Sequence, residues 1–271
     1  MSGDEKALKS LVESIAATTK YKNVSSQLVR SIGARELAKG VSLKTAVKAT
    51  KSKLHQVGGA YQAGHIDYDA ALQTLRAASF AADWRNGCRE IMGLHASTRE
   101  RLPILDDFYS LILSGIAPPR RVLDIACGLN PLAVSWMPLA ENAQYLAYDI
   151  YSDMMQFIED YMQLARLDGR AEVRDVIHDP PSETVDLALL LKTLPCLEQI
   201  EKGASARLLD TIQARYLLIS YPVSSLGGRH KGMIQTYDVQ FAALLESRNW
   251  TADRYLFSSE LAFLVDTTGD L

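Results

Sequence analysis

The segment Arg120-Arg-Val-Leu-Asp-Ile-Ala-Cys-Gly-Leu-Asn-Pro-Leu-Ala133 constrains this chain most. Val122 to Ile125 reads as a short buried strand, followed by a tight turn containing Gly128 and a helix opened by Pro131. Proline suits a first helical turn, because its missing N–H has no intrahelical partner there and its φ is already helical. A strand that ends near an aspartate and feeds a helix start through a glycine turn is how doubly wound α/β folds hold a nucleotide-like ligand at the carboxyl edge of the sheet. The stretch Gln144-Tyr-Leu-Ala-Tyr-Asp-Ile150 then reads as a second strand ending in Asp149, placed to accept bonds from ribose hydroxyls. The turn carries one glycine where the pyrophosphate fingerprint carries three. A ligand with a ribose and no phosphate fits better than a dinucleotide, and S-adenosylmethionine (SAM) is the expected one.

Hydrophobic periodicity divides the chain at residue 93. Residues 1–93 read as helices. Leu8, Leu11, Val12 and Ile15 recur at helical spacing. Ser25 caps a second helix that buries Leu28, Val29, Ile32 and Leu37, and Ser42 caps a third that turns Leu43, Val47 and Leu54 inward. Asp67 opens a fourth. Ser97 and Glu100 stand in capping-box relation. After Pro118-Pro119 strands and helices alternate: strands over 121–125, 144–149, 171–174, 185–191 and 215–220, helices over 131–140, 152–167, 204–213 and near 237–248, then strands near 253–257 and 261–266. Such alternation means a mostly parallel sheet covered by helices. With a closing antiparallel hairpin it predicts an α/β, Class I SAM-dependent methyltransferase fold: a Rossmann-like seven-stranded sheet over residues 94–271, preceded by a helical N-terminal domain.

Charge separates the same two parts. The net charge is −3, yet residues 1–60 hold eleven Lys/Arg against four Asp/Glu, and the remainder holds 18 against 28. A basic arm on an acidic body points to a polyanionic partner. Lys44, Lys48 and Lys51 recur at helical spacing beside Lys53, a stripe suited to phosphates; Lys20 belongs to the same arm. No run of 18 apolar residues suggests a membrane span, and the N-terminus has no apolar signal core. Cys88, Cys127 and Cys196 are odd in number and lack C-x-x-C spacing, which argues against a disulfide framework or zinc site and for a reducing cytoplasm.

Three acids stand at three successive strand ends. Asp124 suits the methionine ammonium of SAM, with Gly128 allowing close backbone approach; Asp149 suits the ribose, and Asp175 the adenine amine. The fourth strand ends in Lys192-Thr-Leu-Pro-Cys196, where amino-group methyltransferases carry (D/N)PP(Y/F). Pro195-Cys196 imitates the covalent Pro-Cys of RNA cytosine-C5 methyltransferases, although a small buried apolar residue is the plainer reading of Cys196. After the fifth strand, Ser220 to Met233 reads as a long Gly/Ser loop carrying Arg229, His230 and Lys231, a composition suited to clamping RNA.

Three segments together are similar to one family. His95-Ala-Ser-Thr-Arg-Glu-Arg-Leu-Pro103, Asp124-Ile-Ala-Cys-Gly-Leu-Asn-Pro-Leu132 with Leu190-Leu-Lys-Thr-Leu-Pro-Cys-Leu-Glu198, and Ser225-Leu-Gly-Gly-Arg-His-Lys-Gly-Met233 resemble the aminoglycoside-resistance 16S rRNA methyltransferases of the Arm group. The resemblance implies methyl transfer from SAM to N7 of guanine 1405 in the assembled 30S subunit, and resistance to 4,6-disubstituted deoxystreptamines such as gentamicin and kanamycin. It places Tyr61, His95, Ala96, Ser97, Arg101, Ala126, Asp149, Asp175, Val176 and Leu191 around SAM, with Arg101 on the methionine carboxylate. Lys192 and Arg229 are then the candidates for holding the flipped guanosine, and no general base is required. The chain is expected to work as a monomer. A cytosine-C5 methyltransferase using Cys196 and a non-catalytic SAM-binding ribosome regulator are the alternatives.

Overall fold

The computed structural model describes residues 3–59, 66–78, 83–224 and 232–270. Helices α1 (Gly3–Ala16), α2 (Ser26–Leu37) and α3 (Leu43–Leu54) form where the apolar spacing places them. Both anticipated caps are present: Ser25 Oγ accepts from the Leu28 N–H at 3.5 Å and Ser42 Oγ from the Thr45 N–H at 3.3 Å. The three helices bury Leu11, Ile15, Leu28, Val29, Ile32, Ala46 and Leu54. α3 runs into a π-helical turn, His55–Gly59. Asp67 Oδ1 accepts from the Ala70 N–H at 2.9 Å and opens α4 (Tyr68–Ala78); α5 (Trp84–Met92), α6 (Ala96–Arg101) and α7 (Leu105–Ile112) lead to the sheet.

The described residues form a seven-stranded sheet: β1 (Arg121–Ile125), β2 (Gln144–Asp149), β3 (Gly169–Val173), β4 (Thr184–Leu191), β5 (Gln213–Pro222), β6 (Thr251–Leu256) and β7 (Glu260–Asp266). Their order is β3-β2-β1-β4-β5-β7-β6. β1 to β5 run parallel, and β7 is antiparallel to both β5 and β6. The expected closing hairpin is therefore present. α8 (Ser152–Ala165), α9 (Leu194–Ile200), α10 (Ala204–Thr211) and α11 (Met233–Leu245) complete the layers. The strand order reverses between β1 and β4, which opens the crevice that doubly wound folds use for ligands.

The helices before residue 93 share a core with the sheet and its covering helices. One apolar cluster joins Leu11, Leu28 and Leu75 to Phe108, Tyr145, Met154 and Phe157. The link between α1 and α2 is also tied to the end of β2, with the Ser25 N–H on the Ile150 carbonyl at 2.7 Å and the Ser152 N–H on the Asn23 carbonyl at 2.8 Å.

Two local expectations need correction, and one helix is new. The helix expected over 131–140 is a 3₁₀ segment, Asn130–Trp136, because Pro138 biases Met137 to extended backbone and stops the helix. After β4 the chain enters α9, a short helix with Pro195 in its first turn, where the sequence pattern had assigned no element. Ser97 and Glu100 make no capping box: His95 is the N-cap of α6, Ser97 lies inside it, and the Glu100 carboxylate is drawn to Lys192.

Candidate cofactor and RNA site

The chain turns sharply at the carboxyl ends of β1 and β4. Ala126 (φ 53°) and Lys192 (φ 61°) both hold left-handed backbone, which costs a non-glycine residue energy and recurs at functional sites. Gly128 shares this conformation, and a Cβ there would lie 2.8 Å from the His95 ring, so the close approach of His95 to the turn requires glycine. The Gly128 N–H donates to Asp149 Oδ2 at 2.9 Å, and the Ile150 N–H donates to Asp149 Oδ1 at 2.6 Å. The second strand-end acid is thus oriented by the first strand's turn. Burial raises the Asp149 pKa, and these backbone donors oppose the rise.

A cavity of about 770 Å³ opens at this edge. Ala126 lines it from β1, Asp149 to Tyr151 from β2, Asp175 to Ile177 from the loop after β3, and Leu191 to Thr193 from β4. His95 and Ser97 face it from α6, Cys196 from α9, and Leu28 and Gly58 from the helical arm. The sequence-derived set His95, Ser97, Ala126, Asp149, Asp175, Val176 and Leu191 therefore shares one wall. Ala96, Arg101, Asp124 and Gly128 do not line it. Tyr61, Arg229, His230 and Lys231 lie outside the described residues.

Behind the wall is a buried polar network. Asp124 Oδ2 accepts from Asn130 Nδ2 at 2.8 Å and from the Tyr145 hydroxyl at 2.7 Å, while its Oδ1 has no hydrogen-bond partner among the described residues. Burial lifts the Asp124 pKa to about 6 against the pull of those donors and of Arg101. Arg101 donates to Asn130 Oδ1 at 2.8 Å and pairs with Glu260, Nε to Oε1 at 2.9 Å, with neither side chain more than 1% exposed. The Ser220 hydroxyl also donates to Glu260 at 2.8 Å. Burial pushes the Glu260 carboxyl up, but Arg101 and Lys192 outweigh it and hold the pKa below the ordinary value. His95 moves the other way: burial first, then Lys192 and Arg101, lower its pKa to about 4, so the ring is neutral near pH 7.

The network engages two of the expected site residues. Arg101, expected on the methionine carboxylate, is engaged by a carboxylate of the protein. Lys192, expected to hold the target nucleotide, has its ammonium 2.7 Å from Glu100 and 3.3 Å from Glu260, and donates to the Ser97 carbonyl at 3.1 Å. A buried ammonium must be paired, and here two acids from distant segments pair it. Sequence reasoning missed Asn130, Tyr145, Glu100 and Glu260. Of these only Glu260 sat outside the segments already singled out; Asn130, Tyr145 and Glu100 lay inside them without an assigned role in the network.

The lysines also separate. Lys44 and Lys48 are exposed on α3. Lys20 is exposed, with its Nζ 3.1 Å from His55 Nδ1, and Lys51 is half-buried. Lys53 is half-buried and donates to the Gln199 carbonyl on α9 at 2.9 Å.

This geometry meets a matching family. A model described as Ribosomal RNA methyltransferase (FmrO) matches residues 17–264. The chain belongs to this family. A protein of Frankia casuarinae named 16S rRNA (guanine(1405)-N(7))-methyltransferase is 38% identical over 96% of this chain and 94% of its own. One of Serratia marcescens with the same name is 35% identical over 94% and 97%. The solved 16S rRNA methylase RmtB superposes with a TM-score of 0.81 at 31% identity, covering 96% of this chain and 98% of its own. RmtF, solved in complex with S-adenosyl-L-homocysteine, gives 0.81 at 31% identity over 98% and 99%. The seven-stranded sheet of this ribosomal RNA methyltransferase is thus the Class I fold. Among its described residues, no helix is long and apolar enough to cross a membrane.

Proposed function

We infer that the chain methylates N7 of guanine 1405 in 16S rRNA, with SAM as donor. The observation that carries the reading is the shared cavity: its floor is the carboxyl edge of β1, β2 and β4, and Leu28 and Gly58 of the basic arm supply part of its wall. The residues fit SAM. Asp149 lines the cavity and, already fixed by two backbone donors, suits ribose hydroxyls; Gly128 keeps the turn open; Asp124, set behind the wall, keeps a buried carboxylate oxygen unpartnered among the described residues. Asp175, Val176 and Leu191 then border the adenine side. SAM supplies an electrophilic methyl group on a sulfonium.

Guanine N7 offers an in-plane lone pair and carries no proton, so no side chain has to act as a base. The task of the protein is placement: the base must sit about 3 Å from the methyl, in line with the bond that breaks. A base stacked in RNA has to be flipped out to reach such a cavity. A neutral His95 adds no positive charge against the sulfonium. Lys192 contributes by holding α6 and β7 to the β4 end, through Glu100 and Glu260, and so shapes the wall. Arg229, His230 and Lys231 remain the candidates for gripping the RNA strand, with Lys44 and Lys48 meeting phosphates farther out. The substrate in this reading is the assembled 30S subunit, bound by a cytoplasmic monomer, and the outcome is resistance to gentamicin and kanamycin.

The test is primer extension after borohydride–aniline cleavage of 16S rRNA from cells expressing the protein. A stop at guanine 1405 is expected; an unmodified site overturns the reading. Cys196→Ser is expected to keep full activity, since N7 transfer needs no covalent nucleophile, and loss of activity in that variant would favour cytosine-C5 chemistry.

A further inference from the structure

Asp175, the acid on the adenine side of the cavity, does not stand alone. Its Oδ1 accepts from the Ile177 N–H at 3.2 Å, and its Oδ2 lies 2.7 Å from His178 Nδ1. The other face of the imidazole meets the helical arm: His178 Nε2 is 2.7 Å from Ser31 Oγ and 3.0 Å from Arg35 Nη2, both on α2. A guanidinium can only donate, so Nε2 is the acceptor and the ring proton sits on Nδ1, donated to Asp175. Arg35 is held in turn by the Ile200 carbonyl at 3.3 Å and by the Glu201 carboxylate, at the end of α9. Asp175 is 3% exposed, whereas His178 stands partly open at the seam.

We propose that His178 is a positioning residue through which α2 sets the orientation of Asp175, and with it the affinity and base selectivity of the cofactor site. This deepens the SAM-dependent reading and rests on it. With Oδ2 committed to His178, Oδ1 keeps a lone pair beside its one backbone donor, and that lone pair is aimed by the arm rather than by the Rossmann-like domain alone. An amino group on a purine can donate to it; a carbonyl in the same place cannot. A site built to take a donor rejects an analogue lacking it, because the buried acceptor is then left unpaired.

The test is calorimetric titration of the full-length protein with S-adenosylhomocysteine and with S-inosylhomocysteine, in which a carbonyl replaces the adenine amine. Wild type is expected to prefer the adenosyl compound. His178→Ala is expected to weaken adenosyl binding about tenfold, the loss of one hydrogen bond to a charged group, and to shrink the adenosyl-over-inosyl preference. His178→Gln, which can both donate and accept, is expected to restore part of both. Ser31→Ala and Arg35→Gln, which change no side chain that lines the cavity, are expected to move both quantities in the same direction by a smaller factor, and they carry the test if His178→Ala fails to fold. Unchanged selectivity in His178→Ala, or in the two α2 variants, overturns the proposal. Failure of wild type to bind the adenosyl compound overturns instead the SAM-dependent reading beneath it.

Discussion

The ionic groups behind the cavity and the lysines of α3 are built on opposite principles. Arg101, Lys192 and Glu260 are at most 4% exposed, and their charges are matched within the protein. Lys44 and Lys48 are exposed on the helical arm. In the buried set each charge is expensive to desolvate, so removing one partner strands another. On the exposed face each charge stays solvated, contributes little to folding, and is available to an external polyanion. The cavity side thus depends on internal completeness, and the exposed face of α3 on surplus.

The sharpest way to break this contrast is Glu260→Gln. It strands Arg101 and leaves Lys192 with Glu100 alone, and a loss of about 3–5 kcal/mol in urea-unfolding free energy is expected. A loss below about 1 kcal/mol would mean the network behaves like surface charge.

The pH profile separates two members of the buried set. Asp124 has a folded pKa of about 6, above the unfolded value of about 3.9, so the folded state binds the extra proton and stability falls as pH rises through that window. His95, at about 4 folded against about 6.5 unfolded, does the reverse, and stability rises over nearly the same window. The two slopes oppose each other in wild type. Asp124→Asn is expected to leave the rising slope exposed, gaining on the order of 2 kcal/mol relative to wild type between pH 4 and 6. His95→Gln is expected to leave the falling one. Chemical denaturation at several pH values reads both, and parallel profiles for the two variants would refute the pairing.

Gly128→Ala is expected to cost about 1–2 kcal/mol in stability, from the left-handed backbone and the His95 contact, and to weaken S-adenosylhomocysteine binding at least tenfold by calorimetry. The smallest effect on the fold belongs to the arm. Lys44→Gln with Lys48→Gln is expected to leave the unfolding midpoint and S-adenosylhomocysteine affinity unchanged. Binding to 30S subunits should weaken, and the slope of log affinity against log salt should flatten by about 0.7–0.9 for each phosphate no longer neutralised. Equal loss of cofactor affinity would erase the division between the two regions.

Much of the fold was legible because its signals are local. Apolar spacing placed α1 to α3, serine caps marked two of their starts, and strand–turn–helix alternation announced the sheet and its closing hairpin. Strand-end acids marked the edge at which the cavity lined by Asp149 and Asp175 opens. The misses have equally local causes. Met137-Pro138 ended a segment that reads as helix farther along, and the residues after Lys192 turn into α9 because Pro195 suits a first turn. Lys53 looked like its neighbours in the stripe, and only the docking of α3 on α9 gave it the Gln199 carbonyl.

The amino-acid sequence by itself determined the fold class, the family, the gathering of acids at one edge of the sheet, and the concentration of positive charge in the first sixty residues, because each is written in short-range pattern. Tertiary structure alone decided what the ionisable groups do. Arg101 meets Glu260 across 159 positions, Lys192 meets Glu100 across 92, and His178 meets Ser31 across 147. No periodicity encodes such pairings. They arise from desolvation, which forces every buried charge to find a partner wherever the packing brings one within reach.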